Sequence, residues 1–291
     1  MSETKAIDQV PLLLREPRES ESAVCRMLLP EACANPTDRL FRLAFESPGN
    51  RIVGAFSYLD DTQSLVGIRL HVVKARRRSG IGSRLMQHIL DEAQGLGRKR
   101  VVVDADLKKE PDAEPFLTAL GFRIAGRLTS VHGPIVGRGP KRELFEARLA
   151  GAEPLPPTAR MTGISEAPAG QISQLYAEHI ASVPMMSGIH RTFRPEQFPE
   201  SVVVMVDGNV IGFMLAHVTG DTVHVPAVVV LPEYRGKRLA IRMIAAMEER
   251  LGQQVTRGEF EFADSAIFTA KIAAEFGHEV SRIGVRFERK T

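Results

Sequence analysis

The stretch that decides the fold is "VVKARRRSGIGSRL", residues 72–85. Four of the five side chains from Lys74 to Arg78 are basic, and Gly80 and Gly82 then open an apolar-periodic segment. A strand that runs through such a turn into a helix presents the unpaired amides of the first helical turn to an anion. Glycine lets the backbone approach that anion closely, and arginines add charge-assisted hydrogen bonds. The stretch therefore predicts a pyrophosphate site.

The same pattern recurs later in the chain. "GNRIVGAFSYL" (49–59) corresponds to "DGNVIGFMLAHV" (207–218), and "GIRLHVVKARRRSGIG" (67–82) corresponds to "VPAVVVLPEYRGKRLA" (225–240). Three pairs of landmarks keep a nearly constant separation: Gly54 and Gly212 are 158 residues apart, Arg77 and Arg235 are 158 apart, and Gly121 and Gly277 are 156 apart. A constant offset over three landmarks in the same order indicates a duplicated domain.

The segment "GAEPLPPTAR", residues 151–160, contains three prolines and reads as an interdomain linker. We therefore expect two domains, 1–150 and 161–291. Each begins with a helical region, as in 170–180, and continues through strands to the glycine loop. Leu85, Met86, Ile89, Leu90 and Ala93 then fall at helical spacing. A further strand, a short helix and a final strand close each domain, which predicts an α/β architecture with mixed sheets.

Composition narrows the possible functions. The 291 residues are 44% hydrophobic, and no apolar run approaches the 18 residues of a membrane span. A net charge of +3, no Trp and three Tyr argue against a nucleic-acid partner. Cys25 and Cys33 are expected to be free thiols of a cytoplasmic protein, and with no other cysteine a metal site is not expected. Monomer and homodimer both remain open.

The stretch does not match two well-known kinds of phosphate-binding loop. The triphosphate-binding "GKS" or "GKT" is absent, and the dinucleotide fingerprint fails because Leu85 stands at its third glycine. The observed pattern, Arg77-x-x-Gly80-x-Gly82, resembles the Arg/Gln-x-x-Gly-x-Gly/Ala signature of the GNAT acyltransferase superfamily. The resemblance implies that the loop holds the pyrophosphate of acetyl-coenzyme A and that the preceding strand lies along its pantetheine.

The resemblance assigns coenzyme binding in both copies to the end of that strand and to the loop. The residues are Leu70, His71, Val72, Arg77, Arg78, Ser79, Gly80, Ile81 and Gly82 in the first copy, and Val228, Val229, Val230, Arg235, Gly236, Lys237, Arg238, Leu239 and Ala240 in the second. The second copy departs from the signature, because Arg238 replaces the first glycine. Arg238 either obstructs the phosphate path or donates to phosphate. We expect obstruction, which makes the first loop the main coenzyme site.

The groups that transfer protons are less sharply indicated. The family meets the oxyanion with a backbone N–H of the strand before the loop, and it often uses a tyrosine as the acid. Leu117 and Ala273 stand where that tyrosine is expected. Our candidate catalytic residues are Glu259, Glu261, His224 and His71; further acidic or imidazole groups nearby are Asp104, Asp106, His217 and Asp264. Glu259 and Glu261 alternate with phenylalanines, which predicts that both lie on one face of a strand. The alternative is that the two glutamates form a polar strand edge that faces solvent.

Met185 and Met186 lie in a loop that walls the acceptor pocket in this family, or else they belong to the core. Taken together, the sequence predicts a tandem GNAT-type N-acyltransferase that moves an acetyl group from acetyl-CoA to a primary amine of a small molecule or peptide. The alternative function is a coenzyme A-binding sensor or scaffold in which one or both domains are catalytically inactive.

Overall fold

The computed structural model describes residues 11–34, 38–180, 194–263 and 273–291. Within that part of the chain, the residues separate into two compact units. Unit 1 takes its residues from Met1–Ala105, Ala113–Ile124 and Arg286–Thr291, and unit 2 from Asp106–Asp112 and Ala125–Val285. The predicted linker at 151–160 therefore lies inside unit 2, and the C-terminal residues return to unit 1.

Unit 1 is built on strands β1 (Leu12–Arg15), β2 (Arg39–Glu46), β3 (Arg51–Asp61), β4 (Ser64–Val72) and β5 (Arg100–Asp106). The first four are antiparallel neighbours in chain order, and β5 pairs with β4 in parallel. Its helices are α1 (Ser22–Leu28), α2 (Pro30–Ala34), α3 (Ile81–Gly95) and α4 (Ala113–Ala119). The crossover from β4 to β5 runs through α3, as a parallel pair requires.

The predicted periodicity of α3 is confirmed. Leu85, Met86, Ile89, Leu90 and Ala93, which recur at helical spacing, are all buried. A separate apolar cluster of unit 1 joins α1 and α2 to the sheet, with Cys25 and Leu28 packed against Leu43 and Ala55. The buried face of α3 is therefore the face that the sequence pattern identifies.

Unit 2 contains strands β6 (Arg123–Pro134), β7 (Arg160–Gly163), β8 (Val202–Val206), β9 (Asn209–Thr219), β10 (Thr222–Val230), β11 (Arg257–Ala263) and β12 (Glu279–Lys290), apart from the residues of β6 and β12 that belong to unit 1. The strand order is β12-β6-β11-β10-β9-β8-β7. Its helices are α5 (Arg142–Ala150), α6 (Ala169–His179) and α7 (Leu239–Arg250). Ile172 and Tyr176 of α6 pack with Ala227 and Val229 on one face. On the other face, Met243 of α7 packs with Val223 and Val225.

The final strand of each copy does not stay with its own copy. β6 follows the first glycine loop in sequence, yet it pairs antiparallel with β11 of unit 2, from Pro134 opposite Arg257 to Leu128 opposite Ala263. The last residues of β12 belong instead to unit 1. The two strands are exchangeable because they occupy equivalent places in the repeat and carry matching patterns. The expectation that each copy closes with its own final strand is corrected in this respect.

The duplication extends to individual backbone hydrogen bonds. The amide of Val73 donates to the carbonyl of Val53 at 3.0 Å, and the amide of Leu231 donates to the carbonyl of Ile211 at 3.0 Å. Both donors and both acceptors are 158 residues apart. The mixed α/β fold in two tandem copies that the sequence predicted is confirmed. Within the described residues, none of the helices has the length and apolar character needed to cross a bilayer.

Arg286 is one of the side chains that fix the returning C-terminus in unit 1. Its Nε and Nη2 each lie 2.7 Å from a carboxylate oxygen of Asp104 on β5, and only 10% of the Arg286 side chain is exposed. Arg282, on the same strand in unit 2, lies 3.9 Å from Glu261 and is 41% exposed.

We predict that Arg286→Met lowers the free energy of unfolding by about 1.5–3 kcal/mol, because it leaves a partly buried carboxylate without its two charged donors. The matched control Arg282→Met should cost less than about 1 kcal/mol, since a long, exposed ion pair contributes little. Urea unfolding monitored by circular dichroism measures both variants. Equal losses in the two variants would contradict the assignment.

Candidate active site

Two parallel strands of unit 1, β4 and β5, stop pairing near the start of β4, well before the glycine loop. β4 and β5 pair at Ser64 opposite Arg100 and at Leu65 opposite Val101, and in the described residues beyond that point β4 has no β5 partner. Its other edge stays paired with β3 as far as Val72. One edge of β4 thus faces an opening between the two strands on the way to the loop. Backbone polar groups on such an edge need a partner from elsewhere.

The loop that follows β4 turns its amides outward through two left-handed residues. Arg78 has φ +61° and Gly80 has φ +79°, and α3 begins at Ile81 without a side-chain cap. The amide of Arg84 is the first to find an intrahelical acceptor, at the carbonyl of Gly80. The amides of the first helical turn are therefore available to a ligand, at the positive end of the helix dipole.

The basic side chains of this loop make different contacts. Arg76 forms an ion pair with Glu46 at 2.5 Å, and Arg77 donates through Nε to the carbonyl of Val72 at 3.2 Å. Arg77 and Arg78 are both exposed. Arg77 thus ties the loop to the end of β4, whereas Arg78 lies on the loop surface beside Ser79.

In the described structure, neither steric contact nor backbone conformation requires a glycine at Gly82. A Cβ built there would meet Phe116 and Val72 at 3.5 Å or more, which are ordinary contacts, and its φ is not left-handed. Gly54 on β3 differs, because a Cβ there would lie 2.8 Å from the carbonyl oxygen of His71. Gly54 thus serves the packing of β3 on β4. Gly82 fits a loop whose backbone is approached by a ligand, which is the fit expected of a pyrophosphate cradle.

The loop of unit 2 repeats this conformation with the glycine moved. Arg235 donates through Nε to the carbonyl of Val230 at 3.1 Å, as Arg77 does to Val72. The left-handed positions are Gly236, with φ +83°, and Arg238, with φ +56°. Each loop therefore places glycine at one of its two left-handed positions and arginine at the other.

Arg238 does not bend over its own loop. Its Nη1 donates to the carbonyl of Arg148 at 2.9 Å, in the last turn of α5. Carbonyls of a last helical turn lack intrahelical donors, so the guanidinium caps them favourably. The sequence alternatives for Arg238, obstruction or phosphate donation, both supposed a side chain turned toward the loop. The structure shows a third role.

The strands of unit 2 part in the same way. β10 and β11 pair from Thr222 opposite Arg257 to Val225 opposite Phe260, and β10 then bulges between His224 and Ala227. Pro226, inside the bulge, has no N–H to offer a neighbouring strand. The register of the two copies makes Glu261 of β11 equivalent to Asp104 of β5, since 257 and 100 occupy the same position in their pairs. Each opening therefore has one carboxylate near the point where pairing ends.

The predicted catalytic residues of the second copy come together on one sheet face. Nδ1 of His224 lies 2.9 Å from Oε2 of Glu259, and the His224 ring stacks on His217 with centroids 5.0 Å apart. Glu259 and Glu261 are on this same face, because their cross-strand neighbours His132 and Ser130 alternate on β6. It is the α6 face, since Leu128 of the same β6 row packs in the α6 cluster.

Glu261 is the least exposed of these carboxylates, with 18% of its side chain accessible. Ser130 Oγ donates to Oε1 at 3.1 Å, and Arg282 lies 3.9 Å away. Burial raises the pKa of Glu261 above its usual range, against the opposing effects of the Ser130 hydrogen bond and of the Arg282 charge. A carboxyl with a raised pKa is suited to exchange protons near neutral pH.

The equivalent carboxylate in unit 1 is held differently. Asp104 accepts two hydrogen bonds from Arg286, which occupies on β12 the place that Ser130 occupies on β6. Position 286 follows position 130 by 156 residues, the same separation as Gly121 and Gly277. Sequence reasoning missed Ser130 and Arg286, although this separation was the signal that could have found them.

The remaining predicted residues fall outside this arrangement. His71 lies on β4 of unit 1 opposite Ala55, and burial, followed by the charge of Arg77, lowers its pKa. Asp106 accepts the amides of Lys108 and Ile283, a structural role. Leu117 and Ala273, at the positions expected for tyrosine, are buried apolar residues. Met185, Met186 and Asp264 lie outside the described residues.

Comparison with known proteins identifies the family. The sequence profile described as "Acetyltransferase (GNAT) family" matches residues 9–122 and 173–263, which together are more than half of the chain. The chain belongs to the GNAT acetyltransferase family. Both matched regions contain a glycine loop and the strand before it, so this GNAT protein carries the family pattern twice. No curated protein matches the chain in sequence.

Solved structures show the same tandem fold at low sequence identity. A GCN5-related N-acetyltransferase from Sphaerobacter thermophilus aligns with a TM-score of 0.61 and 14% identity, over 96% of this chain and 95% of the other. A tandem GNAT protein from the clavulanic acid biosynthesis pathway aligns with a TM-score of 0.59 and 17% identity, over 96% and 98%. At these identities the likeness establishes the fold, and with the family it makes this protein an N-acetyltransferase.

The two loops can be tested separately, because Gly82 and Ala240 are equivalent, 158 residues apart. We predict that wild-type protein titrated calorimetrically with coenzyme A shows two sites. Gly82→Glu should leave one site, since it places bulk and negative charge where the pyrophosphate approaches. Ala240→Glu should remove the other. Two sites remaining in a folded Gly82→Glu protein would contradict the role of the first loop.

Proposed function

We propose that this GNAT protein transfers the acetyl group of acetyl-CoA to a primary amine and that unit 2 carries out the transfer. The observation that carries the proposal is the difference between two equivalent carboxylates. Glu261 accepts one hydroxyl hydrogen bond, whereas Asp104 is held by a bidentate arginine. A carboxylate neutralised by two charged donors is a poor proton acceptor, and Glu261 is not restrained in that way.

The chain supplies the groups that would hold the coenzyme. In each unit the first-turn amides after the loop would meet the pyrophosphate, with the loop arginines adding charge. When bound, acetyl-CoA supplies the activated acyl thioester. The edge of β10 from Val228 to Val230 pairs with β9 on one side. On the other side it has no pairing with β11 in the described residues, so its amides are available to the acyl oxygen.

The proton of the attacking amine is assigned to Glu261. Its carboxylate lies near the end of the β10–β11 pairing, beside the backbone edge that faces the opening. The neighbouring pair of His224 and Glu259 adds a further carboxylate to the same face and so favours the approach of an ammonium group. Uptake of the amine proton by Glu261 leaves a neutral nitrogen able to attack.

Because Arg286 holds Asp104 through two hydrogen bonds, we favour a second function for unit 1, namely coenzyme binding without transfer. This is the sensor or scaffold alternative, confined to one unit. The unit retains the outward amides and the parted strands, but its described residues include no carboxylate near the opening that is free of a bidentate arginine in the way Glu261 is. A cytoplasmic location remains part of the proposal, supported by Cys25 and Cys33, which are both free thiols.

The role of Glu261 predicts the effect of its removal. Glu261→Gln should lower kcat by about 10²–10⁴-fold, because general-base catalysis is worth that much, while coenzyme affinity measured by calorimetry stays unchanged. Asp104→Asn, the equivalent change in unit 1, should leave kcat within about threefold of the wild-type value. The comparison uses Asp104→Asn protein whose unfolding transition matches that of the wild type. If Asp104→Asn abolished activity and Glu261→Gln did not, the transfer would belong to unit 1.

The raised pKa of Glu261 predicts a pH dependence. Glu261 must be deprotonated to accept a proton, so activity should fall as pH drops through a pKa above the usual glutamate range. The measurement is kcat/KM against pH for two acceptor amines of different basicity. The limb due to Glu261 should stay at the same pH for both acceptors, whereas the limb due to the amine should move. A limb that survives in Glu261→Gln belongs to another group.

A further inference from the structure

A polar pocket of about 290 Å³ lies in unit 2, at the ends of β10 and β11 that are remote from the glycine loop. Every described residue that lines it is polar or charged: His132, Asp221, Thr222, His224, Arg257, Glu259 and Ser281. A ligand site usually has a mostly apolar lining with a few polar groups. This pocket is therefore matched to a hydrophilic molecule.

The pocket adjoins the carboxylate to which we assign proton uptake. Glu259, which lines it, is two residues from Glu261 on the same strand face. A coenzyme held by the loop would reach the strand opening from the C-terminal end of β10. The pocket is at the opposite ends, with Thr222 opposite Arg257 at its limit. A molecule in the pocket therefore meets the opening from the side that the coenzyme leaves free.

Two polar atoms at this pocket are buried without a hydrogen-bond partner among the residues that the structure describes. They are Nδ1 of His132 and Oγ of Ser281. Leaving a buried polar group unpaired costs about 1–3 kcal/mol, so such atoms call for an explanation. Both residues line the pocket, so rotation of either side chain would bring its unpaired atom to a ligand with hydroxyl or amine groups.

The charges at the pocket favour an amine. Glu259 and Asp221 contribute two carboxylates, and Thr222 donates to Asp221 at 2.9 Å. Arg257 contributes one guanidinium at the rim, where a hydroxyl or carboxylate of the ligand could be bound. Among the described residues that line the pocket there is no aliphatic side chain and no phenylalanine, tyrosine or tryptophan, which disfavours a long alkylamine.

We propose that this pocket is the acceptor site and that the acceptor is a small hydrophilic amine bearing hydroxyl or carboxyl groups. This inference rests on the proposed acetyl transfer by unit 2. Transfer forms the N–C amide bond and breaks the C–S thioester bond. One proton of the ammonium passes to Glu261 and leaves a neutral amine. The second proton, which nitrogen loses as the amide forms, passes to the coenzyme thiolate, which leaves as the thiol.

The first test compares two acceptors of nearly the same shape. Serinol, 2-amino-1,3-propanediol, has hydroxyls where 3-aminopentane has methyl groups. With the intact protein and acetyl-CoA, kcat/KM for serinol should exceed that for 3-aminopentane by at least about tenfold, since the two differ by two hydrogen-bonding groups. An equal or reversed preference would overturn the inference.

The second test uses the unpaired serine. Ser281→Ala should raise KM for serinol by about 2- to 12-fold, the value of one hydrogen bond, and leave kcat nearly unchanged. KM for 3-aminopentane should not move. The control is Ser165→Ala, an exposed serine of unit 2 that does not line the pocket, for which both constants should match wild type. An unchanged KM for serinol in Ser281→Ala would exclude the pocket.

Direct binding separates failure of this inference from failure of the proposed function. Saturation-transfer NMR of serinol with the protein, without coenzyme, should show binding that Ser281→Ala weakens. Binding without any acetylation of either amine would leave the pocket standing as a site for hydrophilic amines and overturn the proposed transfer. Acetylation that depends on Glu261 but shows no hydroxyl preference, with no serinol binding, would overturn the pocket assignment and leave the transfer standing.

Discussion

The constraint on which the site depends is the early end of pairing between two parallel strands in each copy. β4 and β5 share two residue pairs, and β10 and β11 share four, before the strands separate. An unpaired strand edge inside a sheet leaves backbone donors and acceptors in need of partners. The opposite edges of β4 and β10 stay hydrogen-bonded to β3 and β9, so each opening is held by a rigid wall. A ligand that ran along the free edge would take the place of the missing strand partner.

The exchanged final strands decide what each opening can do. β6 and the end of β12 occupy equivalent places, and each contributes one side chain beside the carboxylate near the opening. In unit 1 that side chain is Arg286, which fixes Asp104 through two charge-assisted bonds. In unit 2 it is Ser130, which gives Glu261 a single neutral bond. One residue on an exchanged strand thus separates a restrained carboxylate from a carboxylate able to accept a proton.

The sequence predicted the parts of this arrangement that depend on local chemistry. The glycine loops, the face of α3 and the 158-residue offset all follow from residues close to one another in the chain. The polar face of β11 also followed, because alternation along a strand fixes which side chains are neighbours. The strand exchange was not predictable in this way, since β6 and β12 carry the same pattern and either could close either copy. The repeat separation marks Ser130 and Arg286 as equivalent positions, but the carboxylate that each contacts depends on the exchange, so their roles were missed.

The two loops show that conformation, rather than one glycine, is what the repeat preserves. A left-handed non-glycine residue costs roughly 1–2 kcal/mol. Each loop accepts that cost once, at Arg78 in one and at Arg238 in the other, and avoids it once, at Gly80 and at Gly236. The backbone path is thus the same although the glycine has moved. Arg238 is bonded to the last turn of α5, so its side chain is accommodated without entering the phosphate path. The second loop can therefore depart from the family signature and still present the same outward amides. The feature that distinguishes the two units is the partner of the carboxylate rather than the sequence of the loop.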